Sequence, residues 1–403
     1  MKIAFITPEF PTEDSYSGGL ANYLGRVTVA LAAKGHEVHC FTKSFVRDET
    51  IDYRGVNVHR VIPLWDRKMR IDKVDRLVPR KLYAPYQDLK ACWCLWRRWK
   101  QENKKGQFHV VQLANVLAVG LFFRWESRVV TVTRLSSYRP VWDRAAGVEP
   151  SIGVRCRWWM ERVAIKATKF VYAPTYYVAK LTEENYGVER IRVIETPFFH
   201  EEPEADYSLY RQMAENKDYV LFFGRMTQMK GVHRLAESLV ELMKEHPEML
   251  AVFIGGSGKA PDGSEMHDYI RMHLGQYGER LIVMESVRHH QLYPFVENAK
   301  VVAIPSLMDN LPNTCLESMG LGRIVVATEG TCFEQLIEPG KSGFLALPDN
   351  ASSLKSELRK AWLLDEAKRR GMSAAAKKRI AQLDPEIKVP ELIEYYHEII
   401  DLF

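Results

Sequence analysis

The chain has 403 residues, 46% hydrophobic and 27% charged, a globular composition with little room for extensive disorder. Single cores stop growing beyond roughly 250 to 300 residues, so two domains are expected and a minimal binding module is excluded. The net charge of +5 is unevenly held: residues 1–200 carry 33 Lys and Arg against 20 Asp and Glu, and residues 201–403 carry 23 against 31. The basic first half suits an anionic substrate or a peripheral anionic membrane contact, while the acidic second half and the absence of a base-reading motif argue against nucleic acid.

The opening MKIAFITPEFP lacks the apolar region and cleavage pattern of a secretory signal, and no apolar run approaches the roughly 20 residues of a membrane span. Six cysteines form no Cys-x-x-Cys pair, which reads as reduced thiols in a cytoplasmic protein, with association at the inner face of the membrane left open. Expected strands in the first half are 2–7, 37–41, 56–62, 108–113, 128–133, 169–173 and 191–194, with helices such as 19–34 and 155–167 between them. Short Val/Ile-rich strands alternating with helices predict a buried parallel sheet. Segment 67–105 stands out, with 13 Lys and Arg against four acidic residues and Trp93, Trp96 and Trp99 spaced by three. Such spacing can line indoles along one helical side for a lipid interface, or pack them on the sheet beneath solvated lysines.

A polar connector, FHEEPEADYSLYRQMAENKD, precedes a second set of strands at 219–224, 250–254, 281–285, 300–304 and 323–328, with helices at 231–245, 265–275 and 289–296. Each half therefore predicts its own Rossmann-like α/β/α domain, over 1–200 and 201–383. Two such sheets facing a central cleft would bind ligand at their carboxyl edges. The Ala/Lys/Arg/Leu-rich region 353–382 follows, and Pro385 marks the start of a terminal helix within 384–403 that is expected to cross back to the first domain.

The chemistry is written in the strand-to-helix loops. Gly18 and Gly19 follow the first strand and open a helix, where close backbone approach and unsatisfied N–H groups suit an oxyanion; a plain turn explains the same letters. Gly224-Arg225-Met226-Thr227-Gln228-Met229-Lys230-Gly231 places two cations where a phosphoryl group could sit, against the alternative of a basic surface loop. In PSLMDNLPNTCLESMG, Asp309 and Glu317 are separated by seven residues, too far apart in sequence to require a carboxylate dyad. Asn313 and Thr314 stand at an expected helix start, and Glu317 one turn inside can accept two sugar hydroxyls. His36 and His289–His290 have no convergent metal spacing.

Together SGGLANY, GRMTQMKG, FIGGSG, PSLMDNLPNTCLESMG and EQLIEPGKSGFL, spread over 17–345, resemble the retaining glycosyltransferase family 4 of GT-B fold. The resemblance implies a nucleoside-diphosphate sugar as co-substrate, with Gly18, Gly19 and Gly224 along the donor. It implies that Arg225 and Lys230 neutralise the diphosphate, that Asn313 and Thr314 lie close to it, that Glu317 binds the ribose and that Asp309 faces the transferred sugar. Two departures follow. Asp309 stands where the family usually has Glu, and Thr133 stands at the position assigned to a donor-contacting histidine, so Thr133 and Arg134 become candidate sugar or acceptor contacts. With no Asp-x-Asp pair, no obligatory metal or other cofactor is expected. The implied activity is retaining transfer to an acceptor hydroxyl on a carbohydrate, lipid-linked or small anionic molecule. The alternatives are a nucleotide-sugar epimerase and a catalytically silent nucleotide-sugar-binding subunit.

Overall fold

The computed structural model of this chain describes residues 1–13, 18–64, 75, 77–200 and 204–403. Ser17 of SGGLANY, residues 67–74 and 76 of the basic segment, and residues 201–203 of the connector lie outside the described residues. The chain divides into two units: Met1–Pro197 with Pro385–Phe403, and Phe198–Asp384.

The first unit contains β1 (Lys2–Thr7), α1 (Gly19–Ala33), β2 (Glu37–Lys43), β3 (Glu49–Tyr53), β4 (Val56–Val61), α2 (Tyr83–Asn103), β5 (Val110–Ala114), β6 (Val130–Arg134), α3 (Arg139–Ala145), α4 (Ile152–Lys166), β7 (Phe170–Ala173), α5 (Tyr176–Tyr186) and β8 (Arg192–Val193). Its sheet order is β3-β4-β2-β1-β5-β6-β7-β8, with parallel pairing except between β3 and β4. Strands such as β1 and β5 are buried nearly end to end, as helices on both faces require. The sequence reading missed β3 because ETIDY is polar and half exposed, an edge strand formed by a hairpin over Arg54-Gly55, both at positive φ.

The second unit contains α6 (Ser208–Ala214), β9 (Tyr219–Phe223), α7 (Val232–Glu245), β10 (Leu250–Ile254), α8 (Met266–Leu274), β11 (Leu281–Met284), α9 (His289–Asn298), β12 (Val301–Ile304), α10 (Asn313–Gly320), β13 (Val325–Thr328), β14 (Phe344–Ala346), α11 (Ala351–Trp362) and α12 (Glu366–Ala381). All pairs in the order β11-β10-β9-β12-β13-β14 are parallel. Asp365 separates α11 from α12 by accepting from the Lys368 N–H as an N-cap. The chain ends in α13 (Pro385–Asp401), which starts at the expected proline and belongs to the first unit. There Lys34 pairs with Glu386, Arg192 pairs with Glu398, and the Tyr396 hydroxyl donates to Gln112 on β5.

The tryptophan stripe on α2 does not form an interfacial face. A spacing of three drifts around a 3.6-residue helix, which carries Trp99 into the core at 0% exposure against Phe108 and Phe123. Trp93 and Trp96 are partly buried around Phe122, and Lys100 lies over Trp96 while pairing with Glu126. Among the described residues of the segment, Trp99 thus packs in the core, and Lys90 is buried against Asp75 while Lys100 is exposed. Among the described residues no helix is long and apolar enough to cross a membrane.

Candidate functional site

In the second unit the strand order reverses at β9, whose neighbours are β10 and β12. Ligands of open α/β sheets bind outside the carboxyl ends of strands at such a switch point. Three loops leave there and are held together by backbone contacts. Gly224 (φ 118) donates its N–H to Ile254, Met226 donates to Gly256, and Gly258 donates back to Met226. A Cβ on Gly255 would fall 1.9 Å from the Gly224 carbonyl oxygen, and one on Gly231 would fall 1.9 Å from the Pro305 carbonyl oxygen. No side chain fits at either position, so these glycines are required by close backbone approach. Leu307 N–H donates to the Met229 carbonyl at 2.8 Å, tying the β9 loop to the β12 loop.

This weld brings Lys230 to Asp309 and the start of α10 to Gly224. Lys230 Nζ lies 2.5 Å from Asp309 Oδ2, and the Asn310 N–H donates to Asp309 Oδ1 at 3.1 Å. Thr314 Cγ2 would lie 3.7 Å from a Cβ on Gly224, which puts the start of α10 beside the β9 loop. Pro312 precedes α10 and supplies no side-chain cap, while Cys315 and Leu316 both donate to its carbonyl. The Asn313 and Thr314 N–H groups have no acceptor among the described residues, leaving two amide donors and the positive helix end open. Arg225 is exposed, with no ion pair among the described residues. Glu317 is half-buried one turn into α10, with His289 Nε2 3.8 Å from its carboxylate.

Several polar groups here escaped the sequence reading. The Ser306 and Thr227 hydroxyls and Asn310 Oδ1 are buried without a hydrogen-bond partner, all in the loops that carry Lys230 and Asp309. Unpaired buried polar atoms cost about 1–3 kcal/mol each, so their grouping marks loops shaped for something other than stability. No periodicity or motif exposes this, because it depends on which loops meet. Among the described residues no group of three His, Cys, Asp or Glu side chains converges as a metal site.

The first unit treats its candidates differently. Gly18 caps α1 and Gly19 begins it, but the Ala21 N–H is already taken by Glu9 Oε1 at 3.2 Å. A Cβ on Gly18 would meet that same oxygen at 3.3 Å, whereas one on Gly19 would meet no atom of the described residues within 4 Å. Burial raises the Glu9 pKa and the Ala21 N–H opposes the rise. An internal carboxyl thus caps the helix end that the sequence reading left free for donor phosphate.

Thr133 requires a correction. β6 runs to Arg134, so Thr133 is inside the strand, buried, with its hydroxyl 2.8 Å from that of Thr168, which donates to the Ala164 carbonyl. It cannot replace a ligand contact at the strand's end; Ser136 and Ser137 occupy that edge. Asn115 accepts from the Ser136 N–H and donates to the Ser137 carbonyl. Arg134 is buried and bonds the Ser136 and Thr196 hydroxyls.

Residues 17–198 match Glycosyltransferase Family 4, and residues 211–379 match the glycosyl transferases group 1 domain. The chain is 24% identical over 383 residues to an uncharacterized glycosyltransferase, MJ1607, of Methanocaldococcus jannaschii, covering 88% of this chain and 87% of that one. It is 25% identical to a D-inositol 3-phosphate glycosyltransferase of Acidothermus cellulolyticus, covering 82% and 74%. Among solved structures, Anabaena Alr3699/HepE in complex with UDP and glucose superposes with a TM-score of 0.68 at 17% identity, covering 99% of this chain and 100% of that one. The two matched domains, on two Rossmann-like units, make the chain a glycosyltransferase-type enzyme of GT-B fold.

Proposed function

We propose that the protein transfers a glycosyl group from a nucleoside-diphosphate sugar to an acceptor hydroxyl with retention of anomeric configuration. The observation that carries this reading is the convergence of Lys230, Asp309, Gly224 and the open end of α10 at one switch point. As the anomeric C–O bond breaks, negative charge grows on the departing diphosphate. Arg225, Lys230 and the Asn313 and Thr314 amides offer fixed positive charge and donors for it, a form of preorganised stabilisation. Gly224 allows the phosphates to approach the backbone, and Glu317 is assigned to the ribose hydroxyls. Asp309 orients the sugar and favours positive charge at its anomeric carbon; it is not a covalent nucleophile. Front-face attack, with the leaving phosphate oxygen taking the acceptor's proton, completes the reaction without a strong protein base.

The donor assignment draws support from the UDP and glucose bound by the Anabaena relative. The experiment is a donor panel with cell-extract acceptors, followed by mass and anomeric analysis of the product. Acceptor-dependent release of nucleoside diphosphate with a retained linkage supports transfer. Sugar rearrangement without acceptor indicates an epimerase, and donor binding without turnover indicates a silent binding subunit.

A further inference from the structure

The loop after β10, Gly255-Gly256-Ser257-Gly258, lies between the β9 loop and the start of α8. On one side Met226 donates its N–H to the Gly256 carbonyl and Gly258 donates to the Met226 carbonyl, both at 2.9 Å. Residues 259–265 then make a short excursion, with Lys259 bridged to Glu265 and Gly263 at φ 86, which returns the chain to the loop it has just left. On that second side the Met266 N–H donates to the Gly258 carbonyl at 2.7 Å, and the His267 N–H donates to Ser257 Oγ at 3.2 Å. Two of the amides that a helix start leaves open are thus taken by the loop.

The His267 side chain makes a third contact. Its ring is 7% exposed, with Nε2 2.9 Å from the Gly255 carbonyl and Nδ1 3.3 Å from Glu285 Oε1, just past β11. A carbonyl only accepts, so Nε2 carries a proton and donates. Among the described residues no other donor reaches that carbonyl. Gly255 sits at φ 153, a conformation that favours glycine, and it has no side chain of its own to hold the peptide. Leaving its buried carbonyl without a partner would carry a desolvation penalty, which a rotation of the peptide would relieve. Such a rotation would move Gly256 and its bond to Met226. Arg225 stands between Gly224, bonded to Ile254, and Met226, bonded to Gly256, so its main chain would move as well.

We propose that His267 is a positioning residue of the donor site: its ring holds the Gly255 carbonyl and, through the β10 loop, fixes the backbone that carries Arg225. That this backbone serves a nucleoside diphosphate rests on the transferase reading; that His267 fixes it does not.

The test uses the full chain. Without ligand, hydrogen–deuterium exchange of a peptide spanning 224–230 should be about tenfold faster in His267→Leu. In His267→Gln, whose amide N–H can stand near the place of Nε2, exchange should stay within about twofold of the parent. Tyr269→Phe is the control for lost stability alone, because it removes a hydrogen bond from α8 to Glu237 and leaves the loop contacts in place. It should exchange like the parent in this peptide. By calorimetry, UDP should bind about fivefold more weakly to His267→Leu and within about twofold of the parent to the other two variants. Parent-like exchange in His267→Leu, or equally fast exchange in His267→Gln or Tyr269→Phe, overturns the positioning role. Faster exchange with an unchanged UDP Kd overturns its assignment to the donor site. If the parent itself does not bind UDP, the donor reading fails and the exchange comparison still decides whether His267 fixes the loop. If His267→Leu does not fold, His267→Asn, whose shorter amide falls short of the carbonyl, takes its place with the same expected outcomes.

Discussion

Replacing Lys230 with Met removes a cation 2.5 Å from a carboxylate whose side chain is 9% exposed. Unit charges about 4 Å apart attract by about 4 kcal/mol at an effective dielectric near 20. Desolvation of both groups and the partial exposure of Lys230 reduce the net coupling to about 1–3 kcal/mol. A cycle of Lys230→Met, Asp309→Asn and the double variant, followed by urea unfolding, should return a coupling in that range. On the proposed reading, donor diphosphate competes with Asp309 for Lys230. Lys230→Met should therefore weaken UDP binding about tenfold or more by calorimetry, as expected for a lost charge-assisted contact. Asp309→Asn should leave UDP affinity equal or tighter while lowering sugar transfer. A coupling within about 0.3 kcal/mol of zero, or a UDP Kd moved less than about twofold in Lys230→Met, would refute the reasoning.

Gly231→Ala should cost more than about 3 kcal/mol or prevent folding, because its Cβ would fall 1.9 Å from the Pro305 oxygen at φ 68. Gly19→Ala, whose Cβ would meet no atom of the described residues within 4 Å, should change thermal stability by less than about 0.5 kcal/mol, so a loss of activity there without a loss of stability would fit ligand contact. Glu9→Gln should lower stability by no more than about 1 kcal/mol in thermal melts through weaker capping of α1. Burial, with the neighbouring His39 and Arg98, lowers the His59 pKa from 6.5 to about 3. The unfolded chain takes up that proton below pH 6.5 and the folded chain does not until about pH 3. Stability should therefore fall as pH drops through this window and be unaffected by this group above it. Urea unfolding of His59→Gln across the window should show a slope shallower by up to about 1.4 kcal/mol per pH unit.

The alternation of short Val/Ile-rich strands with helices made two Rossmann-like units legible, since a buried parallel strand leaves a continuous apolar run wherever it lies. Pro385 likewise marked its helix, because a proline's fixed φ acts locally. The edge strand β3 and the burial of Trp99 were not legible: the first depends on a partner strand, and the second on where a helix face comes to rest.

The candidate site divides in the same way. GRMTQMKG and PSLMDNLPNTCLESMG display their glycines, cations and carboxylates in order, and those residue types are properties of the sequence itself. Tertiary structure alone decided that Lys230 would meet Asp309, that Glu9 would accept from the glycine-opened helix, that Thr133 would turn into the interior and that Arg134 would be buried against Tyr23. Each of these is a contact between groups far apart along the chain, and electrostatic energy depends on distance in space and on exclusion of water, neither of which a residue's letter carries.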